Sequence, residues 1–225
     1  MSNVPKTIKS KKRVADHGEV FTAEREVNAM LGLVHHETER IDSRFLEPAC
    51  GTGNFLAPIL ERKLAVLKRK YAKSQLEFER YGVMVIGSIY GVDILEDNVH
   101  HCRDRLFTIF SNIYSRLFKR KNEKQYEIVL RFILSRNILW GDALSLKTVG
   151  EKPEPLIFSQ WSMVSGSQIK RRDYAFADLI SCESANVGLF GGDNVAHLDK
   201  PIFIPKPIRE YPLVHFLTLS HANEN

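Results

Sequence analysis

The sequence has few cysteines, no long apolar run and no acidic residue among its first fifteen positions. Its 225 residues include three cysteines, Cys50, Cys102 and Cys182, without CxxC spacing or the density of a disulfide scaffold. We therefore expect reduced thiols and a cytoplasmic location. The longest apolar candidate, 83–92, is interrupted by Gly87 and Ser88 and is much shorter than the ~20 residues of a membrane span. The sequence predicts a soluble protein with no membrane partner.

The first fifteen residues carry five cations. No apolar segment follows them, so they are not typical of a secretory signal. A basic arm at 1–15 would lie on a phosphate backbone or only keep the chain in solution; its candidate nucleic-acid contacts are Lys11, Lys12 and Arg13. The whole chain has 32 Lys and Arg against 27 Asp and Glu. This modest excess favours a subunit that shares its nucleic-acid contacts with a partner.

Apolar periodicity predicts alternating helices and strands through most of the chain. The predicted helices cover 22–34, a long segment after Asn54, 96–117 and 126–134, with Thr22 and Asn54 as N-caps of the first two. The predicted strands cover 45–46, 82–92, 138–140 and 156–158. This order is typical of an α/β fold, in which a parallel central sheet carries helices on both faces.

The alternation fades after residue 159. Prolines at 201, 205, 207 and 212 exclude a helix or a central strand in that part of the chain. We therefore divide the chain into the basic arm at 1–15, an α/β domain at 16–160, and an irregular segment at 161–225 with an extended proline-rich arm.

A glycine-rich turn lies between the first predicted strand and the long helix, where parallel sheets bind nucleotides. Gly51 and Gly53 lack the Cβ atoms that would block a ligand. Asp93 ends the next strand, where a carboxylate can accept hydrogen bonds from both ribose hydroxyls. The spacing of 40 residues between Gly53 and Asp93 exceeds the ~20 of dinucleotide folds, and no P-loop is present. These features favour a nucleoside cofactor without phosphates.

Residues 45–56 read FLEPACGTGNFL. This string resembles the S-adenosylmethionine-binding motif of N6-adenine DNA methyltransferases, in the form found in type I and related restriction–modification subunits. Residues 18–22 resemble that family's G-x-x-F-T-P segment, with Ala23 in place of the usual proline. Residues 91–94 and 137–142 resemble its ribose-binding and adenine-binding segments. The resemblance covers roughly 14–145 and implies a Rossmann-like methyltransferase fold.

The resemblance also implies a cofactor, S-adenosylmethionine, and DNA as a partner. In this interpretation Glu47 pairs with the methionine amino group, Asp93 with the ribose and Asp142 with the adenine amino group. Asp142 taken alone is better interpreted as a turn residue after Gly141, and Cys50 as a small packing residue rather than a nucleophile. The implied cofactor-binding residues are Phe21, Thr22, Glu47, Pro48, Ala49, Cys50, Gly51, Gly53, Asn54, Phe55, Asp93, Ile94, Asp142 and Ala143.

The family's catalytic tetrapeptide, N/D/S-P-P-Y/F/W, has no counterpart, because the sequence contains no Pro-Pro pair. Gln160 and Trp161 stand directly after the expected fourth strand. An amide can bind an adenine edge and an indole can stack on the base, so these two residues are the candidates for a replacement. The catalytic residues are otherwise unknown. The adjacent histidines at 35–36 and 100–101 would point apart on a helix, and we expect no metal site.

Only 66 residues follow residue 159, too few for the remaining strands and a target-recognition domain. An incomplete sheet exposes an edge, which we expect a partner subunit or a dimer mate to cover. Lys170, Arg171 and Arg172 precede Tyr174 and Phe176. This cluster is either a nucleic-acid contact or a solvated group at the start of a short helix.

Three functions fit these residues. The first is an adenine-N6-specific DNA methyltransferase subunit of a restriction–modification system, active alone or with a second subunit. The second is a catalytically inactive, methyltransferase-like protein that senses S-adenosylmethionine or regulates by binding DNA or a restriction subunit. The third is a truncated gene product whose other half is encoded separately.

Overall fold

A computed structural model describes residues 13, 22–118, 123–181 and 205–221. These residues form a mixed α/β structure with two four-stranded sheets. The helices are α1 (Glu24–Leu33), α2 (His35–Thr38), α3 (Leu56–Tyr71), α4 (Gln75–Gly87), α5 (Glu96–Leu117), α6 (Glu123–Asn137) and α7 (Phe176–Ser181), with a 3-10 helix at Phe216–His221. The strands are β1 (Phe45–Glu47), β2 (Ile89–Asp93), β3 (Ile138–Asp142), β4 (Lys147–Thr148), β5 (Ile157–Ser165), β6 (Gln168–Ala175), β7 (Arg209–Glu210) and β8 (Val214–His215). None of these helices is long and apolar enough to cross a membrane.

The first sheet holds β1 to β4 in chain order. β1, β2 and β3 are parallel, with Glu47 opposite Gly91 and Asp93 opposite Trp140. The two-residue β4 runs antiparallel to β3. The carboxyl ends of the three parallel strands therefore lie side by side at one end of the sheet. Their last residues are Glu47, Asp93 and Asp142.

The two faces of the parallel sheet are covered by different elements. Successive residues of a strand point to opposite faces. Ile89 packs in the core formed with α3, α4, α5 and α6. Tyr90 and Val92 pack in a second core with Phe158 of β5 and Phe176 of α7. The prediction of helices on both faces is thus right for one face, whereas the antiparallel sheet and the short α7 cover the other.

The second sheet is built on the hairpin of β5 and β6, and β7 and β8 both pair with β6. Its turn contains Gly166 with φ 53°, as two-residue hairpin turns require of their first residue. The predicted strand at 156–158 therefore opens this hairpin instead of extending the parallel sheet. The prediction of an irregular segment from 161 onward is wrong for 161–181, and the predicted boundary at 160 falls within β5.

The predicted strand at 82–92 is wrong in its first half, because α4 continues to Gly87 and only Ile89–Asp93 is a strand. The hydroxyl of Ser74 caps α4 by accepting the Glu77 N–H at 3.4 Å. Val83, Val85 and Ile86 are fully buried in the helix. A helix segment that is buried on most sides lacks the apolar periodicity that distinguishes it from a buried strand.

Both predicted N-caps differ from the observed ones. α1 begins after Ala23, whose N–H is bound by the Glu26 carboxylate at 3.1 Å, so Thr22 is not its cap. α3 begins at Leu56, and the Asn54 side chain instead accepts a hydrogen bond from Arg105 at 2.8 Å. These small shifts leave Thr22 and Asn54 available to line a cleft.

The segment leading into β1 is held by Lys63 of α3. The Lys63 Nζ donates to the carbonyls of Arg40, Ile41 and Ser43 at 2.8, 3.2 and 2.5 Å. The side chain is fully buried, and burial lowers the pKa of its ammonium to about 7. A helix residue thus fixes the entry into the strand that ends at Glu47.

Candidate functional site

The carboxyl ends of β1, β2 and β3 open into a cleft of about 640 Å³. This volume lies within the ~300–1,000 Å³ of ordinary small-molecule sites. Twelve of the predicted cofactor-binding residues line the cleft: Thr22, Glu47, Pro48, Ala49, Cys50, Gly51, Asn54, Phe55, Asp93, Ile94, Asp142 and Ala143. Of the other two, Phe21 lies outside the described residues and Gly53 lies in the turn but not in the cleft wall.

The turn between β1 and α3 depends on its two glycines. Gly51 has φ 51° and Gly53 has φ 84°, a left-handed conformation that favours glycine. Gly51 lines the cleft, whereas a Cβ atom on Gly53 would lie 3.0 Å from the Cys102 Sγ. The prediction that both glycines make room for a ligand is therefore wrong for Gly53. The missing Cβ atom of Gly53 instead makes room for Cys102 of α5.

Asp93 ties this turn to the start of α5. Its Oδ2 accepts the Gly51 N–H at 2.7 Å, and its Oδ1 accepts the Leu95 N–H at 2.9 Å and the Asn98 Nδ2 at 3.2 Å. A carboxylate has about four acceptor positions, so three are already filled. One position on Oδ2 remains for a ligand hydroxyl, which is less than the pair of ribose bonds that the sequence predicts.

Asn98 is a cleft residue that the sequence argument misses. It is 1% exposed, and while its Nδ2 binds Asp93, its Oδ1 accepts from the Arg13 Nη2 at 3.2 Å. Arg13 also binds both oxygens of Asp97 at 2.8 and 3.1 Å. The signal for Asn98 is its place in the first turn of α5, five residues after Asp93.

The contact between Arg13 and Asp97 bears on the predicted nucleic-acid role of the basic arm. Arg13 is engaged by the two side chains at the start of α5, and its contact with nucleic acid stays a prediction. Lys11 and Lys12 lie outside the described residues, as does most of the arm.

Glu47 is the acid of the cleft whose carboxylate accepts the fewest hydrogen bonds from the described residues, and like Asp93 and Asp142 it forms no ion pair with them. Its Oε1 accepts the Ala49 N–H at 3.3 Å. Burial raises the pKa of this carboxyl group, against the opposing effect of that hydrogen bond. A partly desolvated carboxylate is stabilised by an approaching cation, so Glu47 is suited to bind an ammonium group.

Asp142 ends β3 and forms a turn. Its two oxygens accept the N–H groups of Leu144 and Ser145 at 2.9 and 3.3 Å. Hydrogen bonds from Leu144 and Ser145 lower the pKa of the carboxyl group, which is therefore ionised at neutral pH. The turn interpretation of Asp142 agrees with these bonds. The residue also lines the cleft, and its contact with an adenine amino group stays a prediction.

Cys50 lies in the turn, is 3% exposed and forms part of the cleft wall. A hydrogen bond with Cys102 and burial raise the pKa of the Cys50 thiol well above its usual range. A thiol that stays protonated is a poor nucleophile, as expected of a packing residue. Cys50 and Cys102 are both free, and Cys182 lies outside the described residues.

Gln160 and Trp161 do not line this cleft; they lie in β5. Trp161 is 3% exposed, and its Nε1 donates to the Asn137 Oδ1 at 3.1 Å. Its ring packs edge-on against Phe132. Because a buried indole cannot stack on a base, the prediction that Gln160 and Trp161 replace the catalytic tetrapeptide is wrong for this arrangement.

The basic triplet Lys170, Arg171 and Arg172 lies within β6, not at the start of a helix. Arg171 is 2% exposed and its Nη2 binds Asp173 at 2.8 Å. Lys170 and Arg172 pair with Glu210 at 3.0 and 3.2 Å. The prediction of a helix start is therefore wrong, and Arg171 is buried in an ion pair instead of being free for nucleic acid. Lys170 and Arg172 share one carboxylate, and their contact with nucleic acid stays a prediction.

One histidine of each adjacent pair lies beside an acid. His35 is 3.6 Å from Glu39 and His100 is 3.8 Å from Glu96, all four with exposed side chains. Within the described part of the chain, no group of three His, Cys, Asp or Glu residues is arranged to hold a metal ion.

Comparison with protein-family models, curated proteins and solved structures gave no match for the chain. The chemistry of the cleft therefore carries the functional proposal.

Proposed function

We propose that the chain binds S-adenosylmethionine in the cleft and is the cofactor-binding subunit of an adenine-N6-specific DNA methyltransferase of a restriction–modification system. One observation carries this proposal. Residues of four sequence segments that resemble the family's cofactor motifs and are separated along the chain meet in one cleft of suitable volume. In this proposal the two-sheet α/β structure is a Rossmann-like methyltransferase fold.

The polar groups of the cleft suit an amino acid joined to a nucleoside. Glu47 would bind the ammonium group, the open position on Asp93 Oδ2 would accept a ribose hydroxyl, and the ionised Asp142 would accept from the base amino group. Ile94 is 48% exposed at the cleft and offers an apolar surface to the base. The bound cofactor would supply the methyl group, while these residues hold and orient it.

The edge of the parallel sheet supports the role of a subunit. β1 pairs with β2 alone among the strands of the described residues. The unpaired N–H and C=O groups of such an edge are usually covered in folded proteins. We propose that a partner subunit or a second copy of the chain lies against it and contributes the remaining DNA contacts.

The first experiment measures S-adenosylmethionine binding by calorimetry to the intact chain and to Glu47→Gln. Loss of a charge-assisted hydrogen bond, about 1.5–3 kcal/mol, would weaken binding roughly ten- to hundredfold. Glu61→Gln is the matched control, because Glu61 is exposed on α3 away from the cleft wall and the change in charge is the same. Absence of binding to the unaltered chain would refute the proposal.

The second experiment tests methyl transfer. The chain is incubated with methyl-labelled S-adenosylmethionine and mixed-sequence DNA, alone and with the products of neighbouring genes. Incorporation that depends on Glu47 would support a catalytic subunit. Its absence in every combination would exclude enzymatic activity of the assembled protein.

A second candidate function is a catalytically inactive cofactor-binding protein. The observation that favours it is the position of Gln160 and Trp161, which lie in the second sheet and outside the cleft. For such a protein, calorimetry would show binding of S-adenosylmethionine while the labelling experiment would show no transfer. Incorporation into DNA would exclude it.

A further inference from the structure

A second cleft, of about 540 Å³, lies at the opposite end of the parallel sheet. Residues 39–42 and Arg44, which lead into β1, line this cleft together with Gly87 and Ser88, which precede β2. The end of α3, the inner side of α4 and residues 161–163 of β5 complete it. The amino ends of β1 and β2 face this cleft, whereas their carboxyl ends face the first one.

One wall of the second cleft is aromatic. Tyr71 and Tyr81 are stacked, with ring centroids 4.3 Å apart and planes inclined by 6°. Met84 and Met163 line the same cleft. Burial raises the pKa of Tyr71 to about 12, so this phenol stays neutral and brings no negative charge. Flat rings beside polarisable thioethers suit a planar aromatic ligand.

Of four cations at the end of α3, which we call the rim cations, Lys70 lines the second cleft. Lys68, Arg69, Lys70 and Lys73 lie at and just beyond the end of α3, and all four are exposed. None forms an ion pair or a side-chain hydrogen bond with another residue of the described ranges. The cations for which the sequence predicts nucleic-acid contact, by contrast, are paired wherever the structure describes them.

The acids of the second cleft have partners of their own. Asp42 lies 3.2 Å from Arg40, and Glu39 lies 3.6 Å from the imidazole of His35. The residues that line the cleft include three cations, Arg40, Arg44 and Lys70, and these two acids, so the lining keeps an excess of one positive charge at neutral pH. Cations at the end of a helix also stabilise its dipole, but that effect alone does not account for a stacked tyrosine pair in an adjoining cleft.

We propose that the second cleft binds single-stranded nucleic acid. A base would stack in the cleft on the Tyr71–Tyr81 wall, and the adjoining phosphates would bind Lys68, Arg69, Lys70 and Lys73. Aromatic side chains combined with a basic groove are the usual means of binding single strands. In a duplex, the base faces are already stacked and unavailable to the cleft. The inference stands on these residues alone and does not rest on cofactor binding in the first cleft.

The contacts between the phosphates and the rim cations are tested by measuring binding of a labelled ten-nucleotide oligodeoxythymidine, and of oligouridine, by fluorescence anisotropy. The affinity is measured over a series of salt concentrations. The fourfold variant Lys68→Gln, Arg69→Gln, Lys70→Gln and Lys73→Gln removes the rim cations. Each phosphate contact with a single strand contributes about 0.7 to the slope of log K against log salt. We expect the slope to fall by about 2–3 for whichever strand binds.

The matched control replaces four exposed cations elsewhere, Arg25, Arg116, Lys124 and Lys152, with glutamine and changes the net charge equally. We expect this control to retain most of the slope. An unchanged slope in the rim variant, or an equal loss in both variants, would overturn the proposal. Binding of S-adenosylmethionine to the rim variant should be unchanged, so this result is distinguishable from a failure of the proposed function.

The stacking part is tested with an abasic oligonucleotide of the same length. The unaltered chain should bind it roughly five- to hundredfold more weakly than the normal strand, as expected for one stacked base. Tyr81→Leu should remove this difference, whereas Tyr81→Phe keeps the ring and should retain it, which also controls for loss of folding. Equal affinity of the unaltered chain for the abasic and normal strands would overturn the assignment of a base to the cleft.

Discussion

At the scale of single residues, Gly53 is restricted both by its backbone and by its neighbour. Its φ of 84° is unfavourable for any residue with a Cβ atom, and such an atom would lie 3.0 Å from the Cys102 Sγ. We expect Gly53→Ala to lower the free energy of unfolding by about 2–3 kcal/mol, measured by urea denaturation.

Gly166→Ala separates the cost of the backbone conformation from the cost of the close contact with Cys102. Gly166 also has a positive φ, 53°, but a Cβ atom there would meet nothing within 4 Å. This variant should therefore lose only the backbone contribution, about 1 kcal/mol. Equal losses in the two variants would show that the contact with Cys102 is unimportant.

Lys63 predicts a pH dependence of stability. Burial lowers the pKa of its ammonium to about 7 in the folded chain, from an ordinary value of 10.5. Between these values the unfolded chain binds more protons, so the free energy of unfolding should rise as pH increases from about 7 to 9. One proton contributes at most about 1.4 kcal/mol per pH unit.

The charged neighbours of Lys63 are Asp42, Glu37 and Arg40, and none of them has an ordinary pKa within this pH range. In Lys63→Met the rise between pH 7 and 9 should disappear, as measured by urea denaturation at each pH. The variant should also be less stable by about 2–3 kcal/mol at pH 7, because three carbonyls lose their donor. A pH profile identical to that of the unaltered chain would contradict this account.

Residue-level prediction succeeds for the turn and fails for groups that depend on the tertiary structure. Residues 47–55 follow from local chain chemistry, because the glycines and the strand end are adjacent in sequence. The bond from Asn98 to Asp93 and the burial of Trp161 depend on how α5 and β5 pack. Arg171 likewise looks like a free cation in the sequence, and only its pairing with Asp173 shows that it is part of a core.

At the scale of elements, the second sheet is organised around the carboxylate of Asp173. Arg171 binds it at 2.8 Å, the Tyr211 hydroxyl donates to it at 3.0 Å, and Arg136 lies 3.7 Å away. Asp173→Asn would leave a buried guanidinium without its counter-charge. We expect a loss of about 3–5 kcal/mol in the free energy of unfolding, measured by thermal or urea denaturation.

Glu210→Gln provides the control for that measurement. Glu210 also pairs with two cations, Lys170 and Arg172, but its side chain is 48% exposed. Exposed pairs contribute about 0–1 kcal/mol, so the loss should be small. Similar losses in the two variants would contradict the view that burial makes Asp173 important.

The elements that were predicted correctly have clear periodicity or clear ends. α1, α5 and α6, and the strands β1 and β3, fall close to their predicted positions. α4 is missed because its β-branched residues are buried on most sides and imitate a strand. The hairpin of β5 and β6 is missed although Gly166 and Ser167 form a recognisable turn signal. The sequence interpretation assigns residues 156–158 to a fourth parallel strand, and a hairpin at this position does not fit that order.

At the scale of the whole molecule, ligand binding and folding are linked. A ligand that binds only the folded chain stabilises it by about 2.7 kcal/mol at a concentration of 100 Kd. For a chain of 225 residues we expect S-adenosylmethionine at that concentration to raise Tm by about 5–10 °C, measured by differential scanning calorimetry. Glu47→Gln at the same cofactor concentration should show a much smaller rise, and an equal rise would place the cofactor away from Glu47.

The three hydrogen bonds to Asp93 also have a consequence for the kinetics of ligand binding. The Gly51 N–H is already held by Asp93 Oδ2 at 2.7 Å, and the same carboxylate fixes the start of α5, so this side of the cleft needs little ordering when a ligand arrives. Binding that requires no prior rearrangement gives a single exponential whose observed rate increases linearly with ligand concentration. Stopped-flow traces for S-adenosylmethionine should therefore contain one phase, and Asn98→Ala, which frees one side of the carboxylate, should introduce a slower second phase.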